Sequence, residues 1–357
     1  MNTLFSFVFI TISGTFNYFL TIYLIDGMKT YEWYVTEISL SIIGFFLFFL
    51  MYIYLIIKKK QTIKKNQVPF MMMGIMDSLS TFLNSMSTPY LTIASMTILD
   101  KLKIPLLMLF SYIIINKRYI KQQYLGMFLI LYAIMVPYIP NINRGRFGNQ
   151  YYILVFIISL IPNVYSYISK EKYMKNHEIH PIEINVYISF WQSLFGFVFV
   201  PFLFIKELSQ VETIVPNHFV QYLSHATQCQ FHGIDVVGHS EQCKWNLYYL
   251  LLSLCISNII NIYMMYVLQH QSSVLFIVIN CLRIPIQAVL GSFRIIAGEN
   301  YGSFNISYLF SFVLMSVGMF IYYNVDTKKN RENLYDSIEY NYSSIGEDNT
   351  KDKKTKI

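Results

Sequence analysis

Ten separate runs of this chain, each of roughly 20 residues, are almost purely apolar, which is the length a helix needs to cross about 30 Å of hydrocarbon. They cover approximately residues 3–25, 35–57, 68–86, 90–115, 121–140, 150–169, 183–205, 247–268, 272–296 and 304–324. The runs are continuously apolar rather than alternating, which excludes a β-barrel. Only 13% of the residues are charged, about half of what a soluble domain spends on its surface. The expected fold is therefore an all-α polytopic membrane protein with ten transmembrane helices. The first run has no basic segment before it and outlasts a signal-peptide core, so it reads as a span.

Lys and Arg set the orientation. Lys58, Lys59, Lys60, Lys64 and Lys65 follow the second run, and Lys117, Arg118 and Lys121 follow the fourth. Lys170, Lys172 and Lys175 follow the sixth, and Lys328, Lys329 and Arg331 follow the tenth. With ten spans all four groups fall on one side, which the positive-inside rule makes cytosolic, together with both termini. The net charge of +7 is thus a matter of topology and lipid headgroups, not of nucleic acid.

Two stretches break the apolar pattern in the same way. Ile98-Leu99-Asp100-Lys101-Leu102-Lys103-Ile104-Pro105 lies in the fourth run, and Ile279-Asn280-Cys281-Leu282-Arg283-Ile284-Pro285 lies in the ninth. Leu, a cation, Ile and Pro match at one constant offset, at which Asp100 also meets Asn280 and Asp77 meets Ser257. The ninth run is the fourth of a second set of five. Five is odd, so the halves run in opposite senses, as in carriers built from inverted repeats. Residues 1–140 form the first five-helix repeat and residues 141–325 the second, with a non-cytosolic loop at 206–246 and a disordered cytosolic tail at 326–357.

Asp77, Asp100, Lys101, Lys103 and Arg283 lie near mid-depth in their runs. Charge at that depth is costly and is a functional-site hypothesis by default. On a helix Asp100 and Lys103 share a face. Lys101 is turned about 100° away and needs another partner, for which Asp77 is nearest in depth. Three cations against two carboxylates leave one positive charge for an anionic group, with a carboxylate able to take a proton. The competing reading is a structural salt-bridge network that only locks helices together. Pro105 and Pro285 free backbone carbonyls that can line a cavity, yet prolines are ordinary in membrane helices. Asn280, like Asn84, Asn258 and Asn261, is either a ligand or an interhelical hydrogen bond.

In the loop, the segment from Pro216 to Gln228 carries a weak amphipathic pattern that suits a helix on the membrane surface. Cys229 and Cys243 suit a disulfide in an oxidising compartment, worth about 3 kcal/mol for a loop this short. Cys229-x2-His232 and His239-x3-Cys243 also have zinc spacing. His218, His225, His232 and His239 recur every seven residues and would charge in an acidic compartment. Tyr335–Ile338 and Tyr342–Ile345 look like tyrosine-based sorting signals, and Asn305-Ile306-Ser307 is a glycosylation sequon close to the tenth run.

Met73-Gly74-Ile75-Met76-Asp77, Leu102-Lys103-Ile104-Pro105, Tyr124-Leu125-Gly126 and Ile279-Asn280-Cys281 with Pro285 resemble the chloroquine-resistance-transporter-like family of the drug/metabolite transporter superfamily. The likeness spans about residues 70–325 and includes the loop cysteines. The resemblance implies a secondary active transporter in a digestive-vacuole or lysosome-like membrane. It would export peptides, amino acids, other organic ions or drugs with protons, by alternating access. It also implies a cavity between the first to fourth and sixth to ninth spans, and needs neither a metal nor a cofactor. The chain departs from the family in lacking a long N-terminal segment, in two loop cysteines where better-known members have four, and in the charges Asp100, Lys101 and Lys103. The last favours anionic or zwitterionic cargo. The alternatives are a nucleotide-sugar or phosphorylated-metabolite antiporter, with Lys103 and Arg283 as anion ligands, an intramembrane enzyme using Asp77 and Asp100, and a receptor or structural protein.

Overall fold

A computed structural model describes residues 3–28, 31, 33–59, 66–87, 90–91, 96, 99–136, 150–177, 179–204, 218–234, 241–291, 293, 306–307, 309–322 and 324. Among them every regular element is helical. The elements are α1 (Thr3–Gly27), α2 (π-helical over Tyr34–Ile42, α-helical over Ile43–Lys59), α3 (Val68–Ser87), α4 (Lys103–Ile115) and α5 (Lys121–Met135). Then come α6 (Gln150–Asn176), α7 (Pro181–Val198), α8 (Phe219–Thr227), α9 (Asn246–His270), α10 (Ser273–Cys281), α11 (Arg283–Leu290) and α12 (Leu309–Tyr322). Tyr34–Lys58, Gln150–Asn176, Pro181–Phe202 and Cys243–His270 are long and apolar enough to cross a membrane, and Val8–Leu24, Lys103–Ile115, Ser273–Gln287 and Leu309–Tyr322 are shorter apolar helices.

Local chemistry sets the ends. Pro181 stands in the first turn of α7, where its missing N–H costs nothing, and His180 Nδ1 accepts from Ile182 N at 3.3 Å. Ser272 Oγ accepts from Leu275 N at 3.3 Å to start α10. Asn116 closes α4 in the left-handed conformation, φ 56°.

The core runs between α3, α4, α5, α6, α7, α9, α10 and α12, through residues such as Phe70, Ile104, Leu107, Ile130, Ile168, Leu268 and Ile279. The outward face of α2 does the opposite: Phe46, Leu50, Tyr54 and Ile57, four or three residues apart, are 55–72% exposed. An apolar stripe of that kind is a lipid-facing surface rather than a solvated one.

Helix neighbours are α3 with α6 and α7, α1 with α9, α10 and α11, α4 with α6 and α10, and α2 with α7 and α9. The α5 and α12 backbones touch at Gly126 and Gly318, and Ser311 Oγ donates to the Ala133 carbonyl at 2.7 Å. Polar ties cross between helices elsewhere: Asn17 Nδ2 donates to Ser257 Oγ and Ser253 Oγ to Asn17 Oδ1, both at 3.0 Å.

The loop cysteines form a Cys229–Cys243 disulfide, so neither sulfur is left as a thiolate to ligate zinc. Both are buried against Leu24, Met28, Tyr34, Ala226, Leu250 and Leu254, which plugs the loop into the ends of α1, α2 and α9. The amphipathic segment is α8, with Phe219 against Trp33 at a 5.8 Å ring separation and Val220 76% exposed. His239, the sequon residue Asn305, the sorting-like motifs and the 326–357 tail lie outside the described residues.

Candidate functional site

The two related stretches are both helix breaks. Leu102 N bonds the Leu99 carbonyl at 3.0 Å and Leu282 N bonds the Ile279 carbonyl at 3.1 Å, three residues back rather than four. A new helix then starts at Lys103 in one case and at Arg283 in the other. Proline explains the position, because Pro105 and Pro285 have no N–H to return to the carbonyls of Lys101 and Cys281. At the first break the Lys101 carbonyl takes Ile104 N instead, at 3.0 Å.

The break corrects one expectation. Lys101 does not reach Asp77; its Nζ bonds Asp100 Oδ2 at 2.7 Å, while Lys103 Nζ bonds Asp100 Oδ1 at 2.5 Å. The interrupted helix no longer holds adjacent side chains on diverging faces, so two long lysines clasp one carboxylate. Asp77 instead pairs with Lys170, Nζ to Oδ2 at 2.5 Å, and both side chains are nearly buried. The sequence reading put Lys170 in a loop. The structure continues α6 to Asn176 because its first charges have partners inside the bundle. Besides the Lys170 pair, the buried Glu171 accepts from Ser273 N at 2.8 Å and Ser273 Oγ at 2.6 Å. That sets a carboxylate at the N-terminus of α10, where the helix dipole favours it. Lys175 completes the group on Glu171 Oε1 at 2.6 Å.

With Lys170 the centre holds four cations, Lys101, Lys103, Lys170 and Arg283, against Asp77 and Asp100. Arg283 has no ion pair among the described residues, and its buried Nε makes no hydrogen bond. It lies within electrostatic reach of Asp100, Tyr167 and Cys281. Gly14 of α1 makes the room, since a Cβ there would stand 2.3 Å from Arg283 Nη1. The side-chain oxygens of Asn163 and Asn280 are likewise buried and unsatisfied. Asn163, Tyr167 and Lys170 recur at i, i+4 and i+7 and so share one stripe of α6. Tyr167 meets Phe276 of α10 at 5.9 Å, and Lys170 Nζ stands 5.5 Å over the Tyr167 ring. The six residues singled out in the sequence therefore fall into an Asp77–Lys170 pair, an Asp100–Lys101–Lys103 triad, and an Asn280–Arg283 set with free hydrogen-bonding capacity. Lys170, Tyr167 and Gly14 were missed. The i, i+4, i+7 spacing of Asn163, Tyr167 and Lys170 was the signal available for two of them.

Residues 3–322 match the family model described as CRT-like, chloroquine-resistance transporter-like. The chain is 22% identical over 277 residues to the chloroquine resistance transporter of Plasmodium vivax (strain Salvador I), covering 74% of this chain and 64% of that one. It is 24% identical over 280 residues to that of Plasmodium falciparum (isolate 7G8), covering 74% and 66%. Crt homolog 1 of Dictyostelium discoideum is 23% identical over 277 residues, covering 70% and 58%. The chain thus spans less than two thirds of the length of these relatives.

Proposed function

We propose, from the premise that this chain belongs to the chloroquine-resistance transporter-like family, that it is a secondary active transporter of small organic anions or zwitterions. It is a carrier rather than an enzyme, in keeping with the family. The observation that carries the substrate class is Arg283: a cation at a helix break in the bundle interior, with an unsatisfied buried Nε and no counter-ion among the described residues. A carboxylate on the cargo supplies that counter-ion. Lys101 and Lys103 are already held by Asp100, and Lys170 by Asp77. One central cation without an ion pair among the described residues suits an amino acid, a peptide or another carboxylate better than a nucleotide-sugar diphosphate.

The ten runs are read as two inverted five-helix repeats that rock about this site. Three features support that reading. Exchanging the halves turns the α3–α6 contact into α9–α1, turns α4–α6 into α10 and α11 with α1, and maps α2–α7 and α4–α10 onto themselves. The breaks at Leu102 and Leu282 correspond. Asp77 reaches across to Lys170 on the first helix of the second half, and Ser257, at the matching offset, reaches Asn17 on the first helix of the first half. Proton coupling and a vacuolar or lysosome-like membrane, which the family resemblance implies, and cytosolic termini, which the placement of Lys and Arg supports, complete the proposal.

Uptake by proteoliposomes under an imposed pH gradient tests it, with radiolabelled succinate and alanyl-glutamate as probes and lysine as the cationic control. The expected result is accumulation of at least one anionic probe. Arg283→Ala should lower it roughly 10-fold or more, the loss of a charge-assisted hydrogen bond. Accumulation of lysine alone, or uptake indifferent to Arg283, overturns the substrate class; no accumulation of any probe overturns the carrier.

A further inference from the structure

A further buried acid lies apart from the central cluster in chain and in setting. Glu37 is on the π-helical stretch of α2, 5% exposed. π-Helical turns are rare and recur at functional sites. Its Oε2 has no hydrogen-bond partner, and one turn earlier the buried Trp33 Nε1, a donor, has none either. Gly196 of α7 gives the carboxyl its room: a Cβ there would stand 2.3 Å from Glu37 Oε2. The fit between acid and glycine means this carboxyl group is housed, not stranded.

Among the described residues the surroundings hold no counter-charge paired with Glu37. The stretch packs on α7, on α9 and on its own continuation in α2. Among the described residues none of these elements places an ion pair on the Glu37 carboxyl, which is buried with Oε2 unpartnered. Glu183 of α7 lies toward the opposite end of that helix, where its field falls on Tyr52 and Tyr173. Tyr34 turns away to Thr227, 3.1 Å, and Tyr249 of α9 stacks on Tyr23. Ser193, one turn before Gly196, has a buried hydroxyl without a partner. A full negative charge in such a place has nothing to offset its lost hydration, whereas the acid form can be enclosed.

The geometry points to Glu37 as the group that takes up and releases the coupling proton at the disulfide end of the bundle. This rests on the carrier reading above. The carboxylate binds H⁺ to become the neutral acid when α2 and α7 close over it, as they do here, and gives up H⁺ when they part and water reaches it. Gly196 is a positioning residue, because its missing side chain is what lets the two helices close with the acid between them. The coupling site is thus separate from the anion site at Arg283, so proton and cargo are linked through the movement of α2 against α7.

Infrared difference spectroscopy of the full chain in lipid vesicles, acid minus alkaline, tests proton binding without a substrate. The expected result is a carboxylic-acid C=O band in the wild type that Glu37→Gln lacks and Gly196→Ala displaces. A band intact in Glu37→Gln overturns the assignment. For coupling, Glu37→Gln should retain succinate exchange between the two sides while losing the acceleration given by a pH gradient. Acceleration equal to wild type overturns the proposal. Should Glu37→Gln fail to fold, Gly196→Ala, which keeps the acid but takes its space, should show a reduced acceleration, and an unchanged one counts against it. If wild type moves no succinate or alanyl-glutamate, the carrier reading fails, and the infrared band alone decides whether Glu37 binds a proton.

Discussion

The breaks at Leu102 and Leu282 share a turn, a following cation and a proline, yet they are electrostatic opposites. At the first, Asp100 holds both Lys101 and Lys103. At the second, Asn280 stands where the aspartate would be, and Arg283 has no ion pair among the described residues, its buried Nε being unpartnered. One break is internally neutralised as far as a single carboxylate allows; the other offers a guanidinium. The same backbone device thus carries two lysines held by one carboxylate in one place and, in the other, an arginine with no ion pair among the described residues, with aspartate against asparagine marking the difference.

The largest effect should come from the buried Asp77–Lys170 pair. Asp77→Asn leaves Lys170 charged and buried, and should cost about 3–5 kcal/mol of stability, as breaking a buried ion pair does. Thermal unfolding in detergent would read this, and Asp77→Asn with Lys170→Met should recover much of the loss. If the single variant melts with wild type, the pair is not structural.

Asp100→Asn makes the first break resemble the second. Asp100 is partly exposed, side chain 32%, so the loss should be smaller, about 1–3 kcal/mol, the worth of hydrogen bonds to a charged group. The same variant should bind anions more tightly, because two lysines are released; unchanged succinate binding would mean that they do not face the cargo.

Asn280→Asp performs the reverse conversion and gives Arg283 a carboxylate three residues away. Succinate affinity should fall about tenfold, or about 1.4 kcal/mol, with little change in melting temperature. Isothermal titration measures it, and an affinity equal to wild type would remove Arg283 from the site.

The smallest effect is expected of Gly14→Ala, whose added methyl meets the flexible end of Arg283. Overpacking of this kind costs about 1 kcal/mol or slightly more. Because the guanidinium must move, anion binding should weaken more than stability does; the opposite ranking would make Gly14 a packing residue only.

Much of the arrangement was legible beforehand, and for identifiable reasons. The run lengths located apolar helices, four of them long enough to cross a membrane among the described residues, because a helix in hydrocarbon must satisfy its backbone internally. The paired prolines located the breaks because a missing N–H acts locally. The cysteine spacing admitted the disulfide, although zinc stayed open until the sulfurs were seen bonded. Partners were less accessible. Lys101 was directed to Asp77 by ideal helix geometry, which fails at a break, and Lys170 was assigned to a loop because apolarity alone ends a run at the first charge. Glu37 was invisible as a site, since only Gly196 from a distant helix shows that its carboxyl group is accommodated.

By itself, then, the sequence determined what depends on local chemistry: the lengths of the apolar runs, the two proline-centred breaks, and the presence of charge within them. Tertiary structure decided which charges cancel. A salt bridge such as Asp77–Lys170 joins residues from different helices, and its stability depends on distance and burial, neither of which is written in spacing along the chain. For the same reason only the folded bundle distinguishes a lysine already held by Asp100 from an arginine with no ion pair among the described residues.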